Sequence, residues 1–398
     1  MSVRRGDDRS GAVVGLLAVA VSWGLFWGGW SALIPAVKSD LALTDEQLGL
    51  ALFAVPIAAV PAMLLTGRLA QRLAQHTLPA VTAAFAVGCL LVGLASSRWT
   101  FTAALLLVGV ASGGIEVALN ATLAAREARD GVRLFNKVHA ATPLAMVGAA
   151  AGVGLARSLG VSPRVLLTVI AVLVALSAVL AIDRRPWQDA APVPDGGSPG
   201  RISRPLVLVG AVGAVVLLME NSVEQWGAIH LAQQLAAGPF LAACGPAVYM
   251  TGLAVGRILA QWQGERFDDG TLVRVGGALG GIGLAVAAAG WNVPWTLTGY
   301  ALAGIGLAPV VPGLLGAVGR AVGPDRRSRT ISAVTTVAYA GFLASPPLVG
   351  VLAGGLGLPT ALGLVALGGV LVVTGAHAVR LLPVPVPDPD PTGEETRS

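Results

Sequence analysis

Hydrophobic and polar positions alternate along this chain in long blocks rather than in a short period. Runs of some 18 to 27 apolar residues are interrupted by brief polar breaks. A bilayer core of about 30 Å takes roughly 20 apolar residues per helical span, so each run reads as one membrane crossing. The pattern predicts spans at Ala12–Val37, Gln47–Thr66, Leu78–Ser96, Thr100–Ala125, Val138–Leu159 and Val165–Ile182. Six more follow at Pro205–His230, Phe240–Trp262, Thr271–Gly290, Trp295–Ala321, Thr330–Leu356 and Pro359–Leu382. Pro309, Pro312, Pro346 and Pro347 are expected to interrupt spans 10 and 11.

Between the two sets of six lies Asp183–Arg204, a stretch of Pro, Gly, Ser, Asp and Arg that reads as a flexible linker. The organisation is therefore an N-terminal six-helix bundle over 1–182, a linker over 183–204 and a C-terminal bundle over 205–382. A disordered, Pro-rich acidic tail is expected over 383–398. The fold class is all-α and integral to the membrane, with twelve transmembrane helices in two six-helix bundles.

Composition agrees with the pattern. The chain is 55% hydrophobic and 12% charged, with mean hydropathy +0.76, whereas a soluble chain carries about 25% charged residues. Its 53 glycines suit close helix packing in lipid. Cys89 and Cys244 lie in apolar runs and suggest neither a disulfide framework nor a metal site. The net charge of +5 orients the chain rather than binding nucleic acid. With the N-terminus inside, 22 of 26 Lys and Arg residues fall on the cytoplasmic side, leaving Lys38, Arg98, Arg157 and Arg164 outside. No cleavable signal is expected, since the first apolar run is too long for one.

Candidate chemistry comes from polar residues inside the spans. An ionised carboxylate at the bilayer centre costs at least about 2.5 kcal/mol, so it must face water, find a partner or hold a proton. Glu116, deep in span 4, has Asn120 one turn later on the same face. Glu220 and Glu224 are likewise one turn apart in span 7, beside Asn221 and Gln225. Glu116 and Glu220 are the candidates for proton coupling, and Asn120, Asn221 and Glu224 for solute binding. Trp23, Trp27 and Trp30 form a mid-span stripe at i, i+4, i+7 that either lines a cavity or packs. Trp99, Trp226, Trp291, Trp295 and Trp262 sit near span ends, where an interfacial belt is expected. His139 and Tyr339 are further cavity candidates, with Thr142, Thr335 and Thr336 weaker.

A related tag ends the second helix of each half, Gly67-Arg68-Leu69-Ala70-Gln71-Arg72 and Gly256-Arg257-Ile258-Leu259-Ala260-Gln261. It points to an internal duplication of the parallel six-helix kind used by transporters. Gly67, Arg68, Arg72, Gly256 and Arg257 are the gating candidates.

Two six-span halves, a central loop and this tag resemble the major facilitator superfamily, whose loop reads G-x-L-A-D-R-x-G-R-R. Gly67, Leu69, Ala70 and Arg72 agree with that pattern, while Gln71 stands in place of the aspartate, Ala74 of the glycine, and Gln75 and His76 of the basic pair. Within the superfamily the chain is similar to the fucose permease-like group and its uncharacterised bacterial relatives. Gly113-Gly114-Ile115-Glu116-Val117-Ala118-Leu119-Asn120 is similar to that group's span 4, and Ser31-Ala32-Leu33-Ile34-Pro35 to its D-x-L-I-P segment. The resemblance implies sugar and proton handling at Glu116. Ser31 occupies the place of a second functional acid, so either Glu220 substitutes for it or the coupling scheme differs.

These readings converge on a secondary transporter of a small polar organic solute, sugar-like or a related metabolite, driven by protons in symport or antiport. Drug or secondary-metabolite efflux is the alternative; the G-P-x-x-G-G signature of drug antiporters is absent from span 5. The expected partners are a small-molecule substrate, protons and the lipid bilayer, with no nucleic acid, no cofactor and a monomeric state. Without HExxH, a Ser–His pair or a large polar loop, no enzyme is expected. The orientation has a direct check. A cysteine placed within 183–204 should resist an impermeant thiol reagent on intact cells and react once the membrane is opened; labelling of intact cells would contradict it.

Overall fold

The computed structural model describes residues 2–131, 134–182, 203–263 and 268–382. The first half holds α1 (Ser2–Asp40), α2 (Asp45–Leu73), α3 (Thr77–Leu94), α4 (Arg98–Asp130), α5 (Phe135–Ser158) and α6 (Pro163–Leu180). The second holds α7 (Arg204–Gln234), α8 (Pro239–Gln263), α9 (Asp269–Ala289), α10 (Val293–Leu307), α11 (Val310–Ala321), α12 (Pro324–Leu356), α13 (Leu358–Ala366) and α14 (Gly368–Gly375). By length and composition these supply twelve candidate membrane spans, with α10–α11 forming the tenth and α13–α14 the twelfth. Positions 183–202 of the expected linker and the tail from 383 onward lie outside the described residues.

The polar breaks between spans carry the signals that stop and start helices. Thr44 accepts from the Gln47 amide at 3.2 Å while the Gln47 side chain returns to the Thr44 amide at 3.3 Å. Ser97, Ser162, Asp268 and Asn292 cap α4, α6, α9 and α10 in the same sense. Gly131 and Gly290, both at positive φ, close α4 and α9.

Inside each half, helices pair by sequence distance in the same way. In the first half α1 packs on α5, α2 on α4 and α3 on α6; in the second α7 packs on α12, α8 on α10 and α9 on α13 and α14. Small residues mark these crossings. A Cβ at Gly28 of α1 would fall 1.9 Å from the Met146 carbonyl oxygen of α5. A Cβ at Gly341 of α12 would fall 1.7 Å from the Ala214 carbonyl oxygen of α7. No side chain fits at either point, so these helices meet backbone to backbone.

Two expectations about prolines part company. Span 10 does break, between Leu307 and Val310 at Pro309. Span 11 does not: Pro346 and Pro347 lie inside the continuous α12. Pro346 has no N–H for the Phe342 carbonyl one turn back, and that carbonyl instead accepts from the Asn221 side-chain amide of α7 at 3.1 Å. The break in span 12 falls at Leu367, next to Gly369, whose Cβ would lie 2.5 Å from the Gly281 Cα. The interfacial belt also needs correction. Trp99, Trp262, Trp291 and Trp295 are exposed, but Trp226 is fully buried in the helix core.

Close contacts between the halves gather at the end remote from the N-terminus. Gly49 of α2 meets Pro346 and Gly350 of α12, and Gly154 of α5 meets Pro239, Phe240 and Ala243 of α8. Lys38, buried at the end of α1, pairs with Asp45 and donates to Gln233 of α7 at 3.3 Å. At the opposite end Gly67 has no atom within 4 Å of a built Cβ, and Arg257 is exposed. The halves thus close over one end of the molecule.

That closure can be trapped. Lys38 of α1 and Gln233 of α7 stand across the seam from each other at this end, their side chains 3.3 Å apart. In a chain with Cys89 and Cys244 replaced by alanine, Lys38→Cys with Gln233→Cys should be joined by a short bifunctional thiol reagent. After cleavage at a protease site engineered between 183 and 202, the halves should then stay joined on a non-reducing gel. Halves that separate would contradict the closed end.

Candidate functional site

Between the halves lies a cavity of about 310 Å³. Helices α1, α2, α4 and α5 border it from the first half, and α7, α8 and α12 from the second. Its walls are mainly apolar and aromatic, with Trp23, Trp27, Trp30, Met63, Met146, Met250, Tyr339 and Phe342 among them. Two carboxylates face into it from opposite halves, Glu116 on α4 and Glu224 on α7.

The tryptophan stripe serves both of its expected roles. Trp30 is fully buried, its ring parallel to Phe26 at 6.2 Å and tilted against Phe101 at 5.9 Å, yet it still reaches the cavity wall. Trp27 meets Phe26 edge to face at 5.1 Å. Trp23 donates its indole N–H to the Ser112 hydroxyl at 3.0 Å, which ties α1 to α4. Ser112 itself lies one turn before Glu116, on the same side of α4.

Glu116 is held in a chain of hydrogen bonds. The Asn120 side-chain amide donates to its Oε1 at 3.1 Å, and Asn120 Oδ1 lies 2.9 Å from His139 Nε2. Because that Asn120 oxygen can only accept, His139 must carry its proton on Nε2. The imidazole rests on Phe135 with ring centroids 4.4 Å apart. Glu116 also lies within electrostatic reach of the Tyr339 hydroxyl across the cavity. Asn120 and His139 therefore orient Glu116 from outside the cavity lining, which neither residue joins.

The second-half candidates divide. Glu224 borders the cavity, whereas Glu220 is half-buried one turn deeper and outside the lining. Glu220 and Glu224 interact electrostatically with each other and with Arg257, and Tyr249 lies within reach of all three. Asn221 is buried and committed to the Phe342 carbonyl. Ser31 is also outside the lining; its hydroxyl donates to the Gly28 carbonyl at 2.8 Å within α1. Thr142 borders the cavity but donates to the Ala20 carbonyl at 3.3 Å, and Thr336 is exposed and bonded to its own helix.

The two copies of the tag have different surroundings. A Cβ at Gly67 would meet no described atom of another element within 4 Å, and Arg68 and Arg72 border a separate groove of about 990 Å³ formed by α2, α3 and α4. Gly256 instead packs α8 on α10, where a Cβ would lie 2.4 Å from the Ile305 carbonyl oxygen. Arg257, seven residues after Met250 and so on the same face of α8, turns toward the two glutamates of α7. Sequence reasoning overlooked Ser112, Met146, Met250 and Phe342. Spacing alone could have reached Ser112 from Glu116, and Phe342 from Tyr339.

Paired six-helix repeats around a central, two-sided cavity define a multi-pass membrane transporter of the secondary kind. The chain belongs to the Major Facilitator Superfamily, whose sequence profile matches residues 14–229 and 210–397. An uncharacterised MFS-type transporter of Yersinia pestis is 30% identical over 365 residues, covering 89% of this chain and 92% of that one. The crystal structure of a mutant of the nucleoside transporter NupG superposes with a TM-score of 0.77 at 12% identity, covering 92% of this chain and 99% of that one. The E. coli fucose:proton symporter FucP, also as a mutant, gives a TM-score of 0.56 at 16% identity, covering 92% and 98%. At these identities the two structures speak to the fold.

The hydrogen-bond chain at Glu116 predicts a double-mutant result. Asn120→Leu and His139→Ala should each lower the melting temperature, by the equivalent of roughly 1–3 kcal/mol for a polar group left unpaired. The double variant should lose less than the sum, because both changes break one chain. Additive losses in thermal unfolding of the purified protein would contradict it.

Proposed function

We propose that the protein carries a small polar organic solute, sugar-like or a related metabolite, across the cytoplasmic membrane by alternating access, coupled to protons through Glu116. The observation that supports this reading is the cavity itself, bordered by both halves and bearing a carboxyl group held by Asn120 and His139. Exposure of this carboxyl group to one side of the membrane and then the other would let it take up a proton on one side and release it on the other. Glu220 and Glu224, with Arg257 as their charge partner, form the second candidate coupling group. In this reading both termini and the open end face the cytoplasm, the protein works as a monomer, and Trp23, Trp27, Trp30 and Tyr339 contact the solute.

The indole-rich lining also supports a second reading, efflux of a drug or secondary metabolite by proton exchange. Both readings place coupling on the same carboxyl group and share one test. In vesicles with an imposed pH step, Glu116→Gln should lose solute accumulation while keeping solute exchange at equal pH, since glutamine cannot release a proton. Glu220→Gln is the comparison. If Glu116→Gln accumulates solute like the wild type and Glu220→Gln does not, coupling belongs to α7 instead.

A further inference from the structure

The cavity lining carries an imbalance of charge. Of the described residues that border it, Glu116 and Glu224 are acidic and none is Lys, Arg or His. Glu220 stands one turn behind Glu224, and the guanidinium shown to interact with this pair is that of Arg257. His139 is linked to Glu116 through Asn120, whose amide N–H donates to Glu116 and whose oxygen accepts from His139.

The neutral polar groups of the wall are partly committed inside the protein. Trp23 is bonded to Ser112, and Thr142 to the Ala20 carbonyl. Gln225 turns its Nε2 toward Asn221 at 3.5 Å, and its Oε1 is buried without a partner among the described residues. The acidic groups of the wall leave acceptors free, the Glu224 carboxylate and the remaining capacity of Glu116, with Gln225 Oε1 beside them. Around them stand the rings of Trp23, Trp27, Trp30, Tyr339 and Phe342, whose faces attract cations.

We infer that the solute carried in this cavity bears a protonated amine, received by Glu224 and Glu116 from opposite halves and enclosed by the aromatic wall. This rests on the transport reading given above and adds a charge to its solute. An ammonium group supplies up to three donors and no acceptor, the complement of the two carboxylates. It also offsets charge that would otherwise be costly to keep within the membrane. A carboxylate or phosphate solute would add to the acidic excess. Because the two carboxylates belong to different halves, a cation between them would draw the halves together, as an occluded state requires.

Three probes of similar size test the charge directly: 2-phenylethylamine, 2-phenylethanol and phenylacetate, with a neutral hexose as a fourth. Binding is read from the intrinsic tryptophan fluorescence of the purified protein. The amine should bind saturably and at least about tenfold more tightly than the alcohol, a difference of ~1.4 kcal/mol. Glu224→Gln and Glu116→Gln should each weaken the amine several-fold, and Glu224→Asp should restore part of the loss. Unchanged thermal unfolding of each variant would show that the loss is not one of folding. The inference is overturned if the alcohol, hexose or phenylacetate binds as tightly as the amine, if no probe binds, or if amine binding survives in the double glutamine variant. A hexose that binds and is accumulated by a pH step would remove the charge preference and leave the transport reading intact. Amine binding without any pH-driven flux would do the reverse.

Discussion

Where two membrane helices meet backbone to backbone, the crossing point has no room for a side chain, and the arrangement of this molecule depends on that constraint. Lipid offers no hydrophobic drive for helices to associate, so close packing has to supply it. Gly28 against Met146 and Gly341 against Ala214 bring the inner helices of each half into contact. The pairing of α1 with α5 is matched by that of α7 with α12, and the pairing of α2 with α4 by that of α8 with α10. Each half is thereby a firm unit, and the cavity is left along the seam between them.

The same medium governs the polar groups. A carbonyl freed by proline has no water to turn to, and the Asn221 side-chain amide donates to that of Phe342. A carboxyl group in the seam needs a partner, a proton or a cation. Glu116 has Asn120 and, through it, His139; Glu220 and Glu224 share Arg257. The two halves thus present acids to one cavity with different supports.

Span number, the two bundles and the Glu116–Asn120 face were legible in the sequence, because each depends on local spacing within an apolar run. What was not legible depends on partners far along the chain. Asn221 looked like a solute ligand until Pro346, 125 positions later, placed a bare carbonyl beside it. Trp226 looked interfacial because its distance from the span end says nothing about which way it faces, and it is buried. Arg257 and Arg68 occupy matching places in a repeated tag, yet one meets the glutamates of α7 and the other borders a separate groove. Pattern gives the repeat; packing decides what each copy does.

The central claim is a single solute cavity that opens to one side of the membrane at a time. Met63 borders it from α2, so Met63→Cys in a chain lacking Cys89 and Cys244 reports its access. In vesicles of defined orientation, an impermeant thiol reagent should label this cysteine quickly from the side bearing the N-terminus. Supplying a transported solute at the opposite side should slow that labelling and raise labelling from the solute's side. Equal labelling from both sides at once would indicate a pore, and none from either side would mean the cavity is sealed; either result contradicts the account.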